Sequence, residues 1–151
     1  METHANATRQ LAADPQFEIG NHSYIHPHMR GLNPTRIDQE LLKTQDVMYR
    51  LTGRQGTLFR PPYGEYDSDL LDEAARVGLR TITWEVVSGD PDPHVTAADM
   101  VREVVRRVKP GSIVIMHVNG RGWHTADALP RIVSGIRKRG FTFVTVDEAL
   151  R

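Results

Sequence analysis

Asn21-His22-Ser23-Tyr24-Ile25-His26-Pro27 sets two imidazoles four residues apart at the end of an apolar run, Phe17 to Asn21, that reads as a short buried strand. Gly20 lets the backbone tighten just before His22. Where a strand gives way to a loop, side chains at this spacing can converge on one ion and leave room for a carboxylate and water, the plan of an open metal site. The pair alone is equally compatible with two surface histidines at a proline turn, because a catalytic zinc normally has three protein ligands.

Outward from this stretch, strand-like and helix-like segments alternate, the mark of βα units and a parallel sheet. Strands are expected at Phe17 to Asn21, Thr57 to Arg60, Arg80 to Val87, Ser112 to His117 and Phe141 to Val146. A first helix is capped by Asn33, begins at Pro34, sets Ile37, Leu41, Met48 and Leu51 on one face and stops at Gly53. Ser68 to Val77 forms a second, closed by Gly78. Thr96 to Val108 forms a third, burying Met100, Val101, Val104, Val105 and Val108 ahead of Pro110-Gly111. Thr125 to Arg139 repeats the plan with Leu129, Ile132, Val133 and Ile136, then Gly140. This order puts His22 and His26, Arg60 and Tyr63, Asp90, and His117 after successive strands, at the rim where barrels and open α/β sheets carry their sites. A barrel and a doubly wound sheet share this pattern.

The chain of 151 residues is read as a single domain, 1–151, with no linker or low-complexity tract. Nineteen basic side chains balance 19 acidic ones and no Lys/Arg stripe forms, which argues against a nucleic-acid partner. No apolar run approaches the roughly 18 residues of a membrane span, and the first ten residues lack the apolar centre of a signal peptide. With no cysteine, metal chemistry must rest on His and carboxylate.

Two further motifs stand at strand ends: Phe59-Arg60-Pro61-Pro62-Tyr63-Gly64 and Ile113-Val114-Ile115-Met116-His117. With His22 to Pro27 they resemble the polysaccharide deacetylase family, the NodB-homology domain of carbohydrate esterase family four. That family carries a His-Ser/Thr-x-x-His-Pro metal motif, an Arg-x-Pro-Tyr motif and a Leu-x-Leu-His-like strand, here with isoleucines for the leucines. The resemblance runs from about Thr8 to the C-terminus and implies a distorted (β/α) barrel of about seven strands, five of them present. The family's opening strand, ending in Thr-Phe-Asp-Asp, has no counterpart: no Asp-Asp pair occurs, and Asp14, ahead of its strand, cannot substitute. Met1 is therefore read as the start of a fragment, within what would be the family's second helix.

The resemblance implies a role for each residue. His22 and His26 are metal ligands, zinc by default with cobalt or nickel allowed, since two imidazoles and a carboxylate do not strongly exclude them. Tyr63, behind Pro62, resembles the residue whose backbone N–H helps stabilise the oxyanion; a turn tyrosine packed on prolines is the plainer alternative. Arg60 resembles the arginine that orients the aspartate base, which is absent here. His117 matches the general acid, a job suited to an imidazole with an ordinary pKa of about 6.5, or else is a structural histidine. Ile115 would line the pocket for the acetyl methyl. Asp90 could hold the His117 imidazolium, although Asp90 is followed by Pro91 where the commoner family form has tryptophan, and Asp92 or a solvated loop remains open. Trp123, in Gly120-Arg121-Gly122-Trp123-His124, suits stacking on a pyranose ring or covering the core.

The implied function is metal-dependent removal of N- or O-acetyl groups from a polysaccharide of peptidoglycan, chitin or xylan type, weak in this chain for want of the Asp-Asp pair. The alternative is a non-catalytic, carbohydrate-binding remnant. Unpaired edges at Phe17 to Asn21 and Phe141 to Val146 would favour self-association. The family acts mostly outside the cytoplasm; nothing in the chain fixes the compartment.

Overall fold

The computed structural model describes residues 2–150. The chain forms two compact units, one comprising the residues up to Thr83 together with those from Thr145, the other Trp84–Val144.

In the first unit a 3-10 turn, Glu2–His4, leads into α1, Ala5–Ala13, and α1 packs on α2, Pro34–Thr52. Helix α2 starts and stops as its sequence dictates: the Asn33 side chain accepts from Arg36 N–H at 3.0 Å, Pro34 occupies the first turn, and Gly53 takes the left-handed conformation at φ 73°. Strand β1, Leu58–Phe59, pairs in parallel with β2, Arg80–Thr81, and on its other side Asn21 bridges Phe59. Because these segments are parallel, the residues that follow them leave at the same end. Between β1 and β2 lies α3, Ser68–Arg76, whose N-cap Asp67 accepts from Leu70 N–H at 3.0 Å and from Gly31 N–H at 2.7 Å. Those two backbone hydrogen bonds hold the Asp67 carboxyl below the usual range. Met29, Ile37, Leu41, Phe59, Leu70, Ala74 and Leu79 close the core.

In the second unit β3, Val86–Val87, runs parallel to β4, Val114–Ile115. Two helices cover it: α4, Ala97–Arg107, opened by a Thr96/Asp99 capping box, and α5, Thr125–Lys138. Gly135 lets α5 approach α4, since a Cβ there would stand 2.7 Å from a Val105 methyl. Arg139 closes the C-terminal end of α4 by donating to the carbonyls of Val105 and Val108. Val86, Met100, Val104, Val108, Ala128, Ile132 and Ile136 form this core.

The helices follow the sequence expectation closely, whereas the strands do not. Of Phe17 to Asn21 only Asn21 joins the sheet, through Asn21 N–H to Leu58 O at 2.8 Å and Arg60 N–H to Asn21 O at 2.9 Å, and Phe17 is half-exposed. The run Arg80 to Val87 changes partner midway: Ile82 N–H still reaches Phe59 O, but Glu85 and Val86 N–H both turn to Ile113 O. Phe141 to Val146 forms no strand. Thr145 instead caps a short helix, α6, Val146–Ala149, by accepting from Glu148 N–H at 3.2 Å, so the chain coils where the apolar alternation suggested extension. On α5, Ala128 is buried in place of Leu129, which is exposed. Among the described residues no helix is long and apolar enough to cross a membrane.

Candidate functional site

The first unit brings together His22, His26, Arg60 and Tyr63. The His22 and His26 rings meet edge to face with centroids 4.8 Å apart. His22 Nδ1 lies 2.5 Å from the Arg60 carbonyl, which can only accept, so Nδ1 carries a proton, and in the neutral ring the lone pair is then on Nε2. Metal-bound histidines are commonly oriented in this way, through the ring nitrogen that does not bind the ion. Arg60 follows β1 and Asn21 lies beside β1, so the strand pairing itself carries the carbonyl to the ring.

The loop holding the pair is strained and pinned. Among the described residues the non-glycine positions with left-handed backbone are Ser23, His26 and Tyr63, at φ 63°, 58° and 59°. Such conformations cost about 1–3 kcal/mol each and cluster where a site over-determines them. Asn21 Oδ1 accepts from Ser23 N–H at 3.0 Å, and Ser23 Oγ accepts from His26 N–H at 2.9 Å. Between them, Glu40 Oε2 accepts from both Tyr24 and Ile25 N–H at 2.9 Å.

Tyr63 lies in a 3-10 turn, Pro62–Gly64, whose own hydrogen bonds use the N–H groups of Gly64 and Glu65, leaving that of Tyr63 outside them. Its exposed ring contacts histidines: His26 edge-on at 4.8 Å, and His28 stacked face to face at 4.0 Å. His28 Nδ1 in turn pairs with Glu65 Oε2 at 2.9 Å. Pro62 is buried beneath this cluster's turn.

Arg60 is the discordant member. Burial pushes its guanidinium below its ordinary pKa, and its Nε is buried with no hydrogen-bond partner among the described residues. The donor set fits a divalent cation as two imidazoles. It falls short of three protein ligands, since among the described residues no cluster of three or more His, Cys, Asp or Glu is placed to hold a metal.

The second unit brings together Asp90 and His117. Asp90 follows β3 and is 1% exposed. Its Oδ1 accepts from His117 Nδ1 at 2.9 Å and from Ser88 Oγ at 3.0 Å; its Oδ2 accepts from His117 N–H at 2.5 Å and Thr125 Oγ at 2.8 Å. Burial, the largest single influence, works against the ionised form, yet the His117 ring and amide, Thr125 and Ser88 together hold the carboxyl below its usual range. An ionised acceptor at Nδ1 fixes a His117 proton there. Gly122 must be small: a Cβ there would stand 2.3 Å from the His117 carbonyl. Ile115 is buried one turn of the pleat before His117, and Asp92 instead accepts from His94 N–H. Trp123 is 60% exposed, so its side chain does not cover the core, although the Trp123 backbone N–H donates to the Asp90 carbonyl at 3.3 Å.

Glu40, His28, Ser88 and Thr125 escaped the sequence reading. Glu40 falls in phase with Ile37, Leu41 and Thr44 on α2, so a carboxylate on an apolar face was the available signal. Nothing local marked the others.

The polysaccharide deacetylase family model matches residues 1–82, and the chain belongs to that family. It is 30% identical, over 91% of its own length and 53% of the relative's, to the peptidoglycan-N-acetylmuramic acid deacetylase PdaA of Bacillus subtilis. Among solved structures it resembles a CE4 family pseudoenzyme from Bacillus anthracis, with 27% identity and TM-score 0.89 over 99% of this chain and 52% of that one. It also resembles a family 4 acetyl xylan esterase from Clostridium thermocellum in complex with a cobalt ion, with 28% identity and TM-score 0.91 over 99% of this chain and 71% of that one. The chain thus has the partial α/β deacetylase fold and spans about half the length of several relatives it matches.

Proposed function

We propose that this chain carries the chemistry of a metal-dependent hydrolase that removes acetyl groups from a polysaccharide of peptidoglycan, chitin or xylan type, and that its activity alone is low. The observation that carries the proposal is the meeting of the His22 and His26 rings, with His22 Nδ1 held by the Arg60 carbonyl. These two side chains would hold a divalent ion, zinc by default and cobalt or nickel as alternatives. When bound, such an ion supplies Lewis acidity toward an acetyl carbonyl and its attacking water. Tyr63 N–H is a fixed donor suited to a developing oxyanion. His117, oriented by Asp90, is suited to deliver a proton to a leaving nitrogen or oxygen. Ile115, Pro62 and Trp123 are the residues proposed to face acetyl or sugar.

A second reading, a non-catalytic carbohydrate-binding piece, is favoured by the partnerless Arg60 Nε and the absence of a third ligand among the described residues. Both features concern a missing carboxylate, and a positioned base is worth on the order of 100- to 10,000-fold.

The test has two arms. Calorimetric titration with zinc should show weak binding that is lost in His22→Ala and in His26→Ala; tight binding that survives the double change overturns the ligand assignment. Acetate release from acetylated chito-oligosaccharide should be near background for the chain alone. It should rise when the Thr-Phe-Asp-Asp segment of a full-length relative is fused ahead of it, and fall again in that fusion with His117→Ala. A fusion that stays inactive favours the binding reading.

A further inference from the structure

Four successive backbone N–H groups, those of Ser23, Tyr24, Ile25 and His26, all donate to side chains rather than to other backbone. The outer two are satisfied within the loop, by Asn21 and Ser23. The inner two converge on one atom from a different element, Glu40 Oε2 of helix α2. Consecutive amides beside a left-handed residue form a concavity suited to an anion, and here a carboxylate of the chain itself fills it.

Glu40 is 2% exposed and lies beside Ile37 and Leu41, both fully buried, so the core fixes where its carboxylate points. Its Oε1 pairs with Arg36 at 3.2 Å, one turn back on the same helix. Burying a carboxylate is costly, and a methionine of similar length would fill the space at less expense. Arg36 answers one oxygen of the carboxylate, and the two loop amides answer the other.

We propose that Glu40 is a positioning residue for the loop that carries His22 and His26, coupling the rigid face of α2 to the separation and orientation of the two imidazoles. The consequence for metal binding rests on the ligand pair proposed above; the hold on the loop does not. A glutamine at this position can still offer one oxygen to both amides, whereas methionine offers no acceptor and aspartate is one methylene too short.

The test compares Glu40→Gln, Glu40→Asp and Glu40→Met in the full chain by amide hydrogen exchange and by cobalt(II) titration. Tyr24 and Ile25 amides, although their side chains are exposed, should exchange slowly in the parent. In Glu40→Met they should speed up on the order of ten- to a hundredfold, and in Glu40→Gln by only a few-fold. Cobalt(II) affinity should fall in Glu40→Met and recover in Glu40→Gln. If Glu40→Met loosens α2 throughout, Glu40→Asp decides, with acceleration expected at Tyr24 and Ile25 while α2 amides keep the parent rate. Unchanged exchange at those two amides in both Glu40→Asp and Glu40→Met overturns the proposal. A parent chain that binds no cobalt(II) overturns the ligand pair instead, leaving exchange to judge the hold on the loop.

Discussion

In the unit Trp84–Val144, Asp90 is buried and receives four hydrogen bonds, from the His117 ring and amide, Ser88 and Thr125. In the other unit, Arg60 has a buried Nε with no partner among the described residues, and no third His, Cys, Asp or Glu among those residues joins His22 and His26 in a cluster fit for a metal. Both follow parallel strands. The difference shows that a buried carboxylate–histidine pair can be completed by neighbours up to a few tens of residues away in one unit, while a histidine pair stands without a carboxylate among the described residues in another. A satisfied buried charge is costly to disturb, and an unsatisfied one is costly to keep.

The largest expected effect breaks the comparison directly. Asp90→Ala strands four donors at once and should cost on the order of 3 kcal/mol or more in urea unfolding. Arg60→Met, which removes a buried Nε without a partner among the described residues, should be neutral or stabilising by up to about 2 kcal/mol. Equal losses in the two variants would mean that Arg60 is satisfied in solution and that the contrast is false.

Next in size is Gly122→Ala. Its Cβ would stand 2.3 Å from the His117 carbonyl and 2.7 Å from Thr125 Oγ, so the loop must move, at about 1–3 kcal/mol. Gly120→Ala, with open space around it, serves as the control and should melt like the parent.

The acid limb of stability sharpens the same point. Folding lowers the Asp90 pKa, so its stabilisation is present above the unfolded carboxylate value of about 3.9 and is lost as pH falls through the lower folded value. Melts recorded from roughly pH 5 downward should show the parent losing stability more steeply than Asp90→Asn, the gap between them closing in acid. Parallel curves would show that Asp90 is not held ionised by its four donors.

A smaller effect concerns the extended stretch before α6. Phe143 and Val144 are half-exposed and belong to no strand, which suits self-association. Light scattering across a concentration series should show the apparent mass rising in the parent and flattening in Phe143→Lys. The smallest effect is at Trp123, where Trp123→Ala should shift stability by no more than about 0.5 kcal/mol while weakening retention on immobilised acetylated chito-oligosaccharide. Unaltered retention would remove Trp123 from the residues proposed to face sugar.

The helices were legible because their signals are local. Asn33-Pro34 with Gly53, and Thr96 with Asp99, state their own boundaries whatever surrounds them. The His22 to His26 loop was legible as a spacing, and it does follow a sheet-paired residue, although only Asn21 of Phe17 to Asn21 pairs. The extent of the strands was not legible, because a strand exists only where another backbone answers it. Phe141 to Val146 alternates well, but Thr145 and the acidic residues after it cap a helix instead.

By itself, then, the sequence determined the helix ends, the order of elements, and which side chains follow which strand, all properties written within a few residues of one another. Tertiary structure alone decided that Glu40 reaches across to Tyr24 and Ile25, that Arg60 lends its carbonyl to His22 while its Nε finds no partner among the described residues, and that Ser88 and Thr125 join His117 on Asp90. These partners are up to 38 residues apart, and a carboxylate or hydroxyl acquires its donors only once packing has removed water as the alternative.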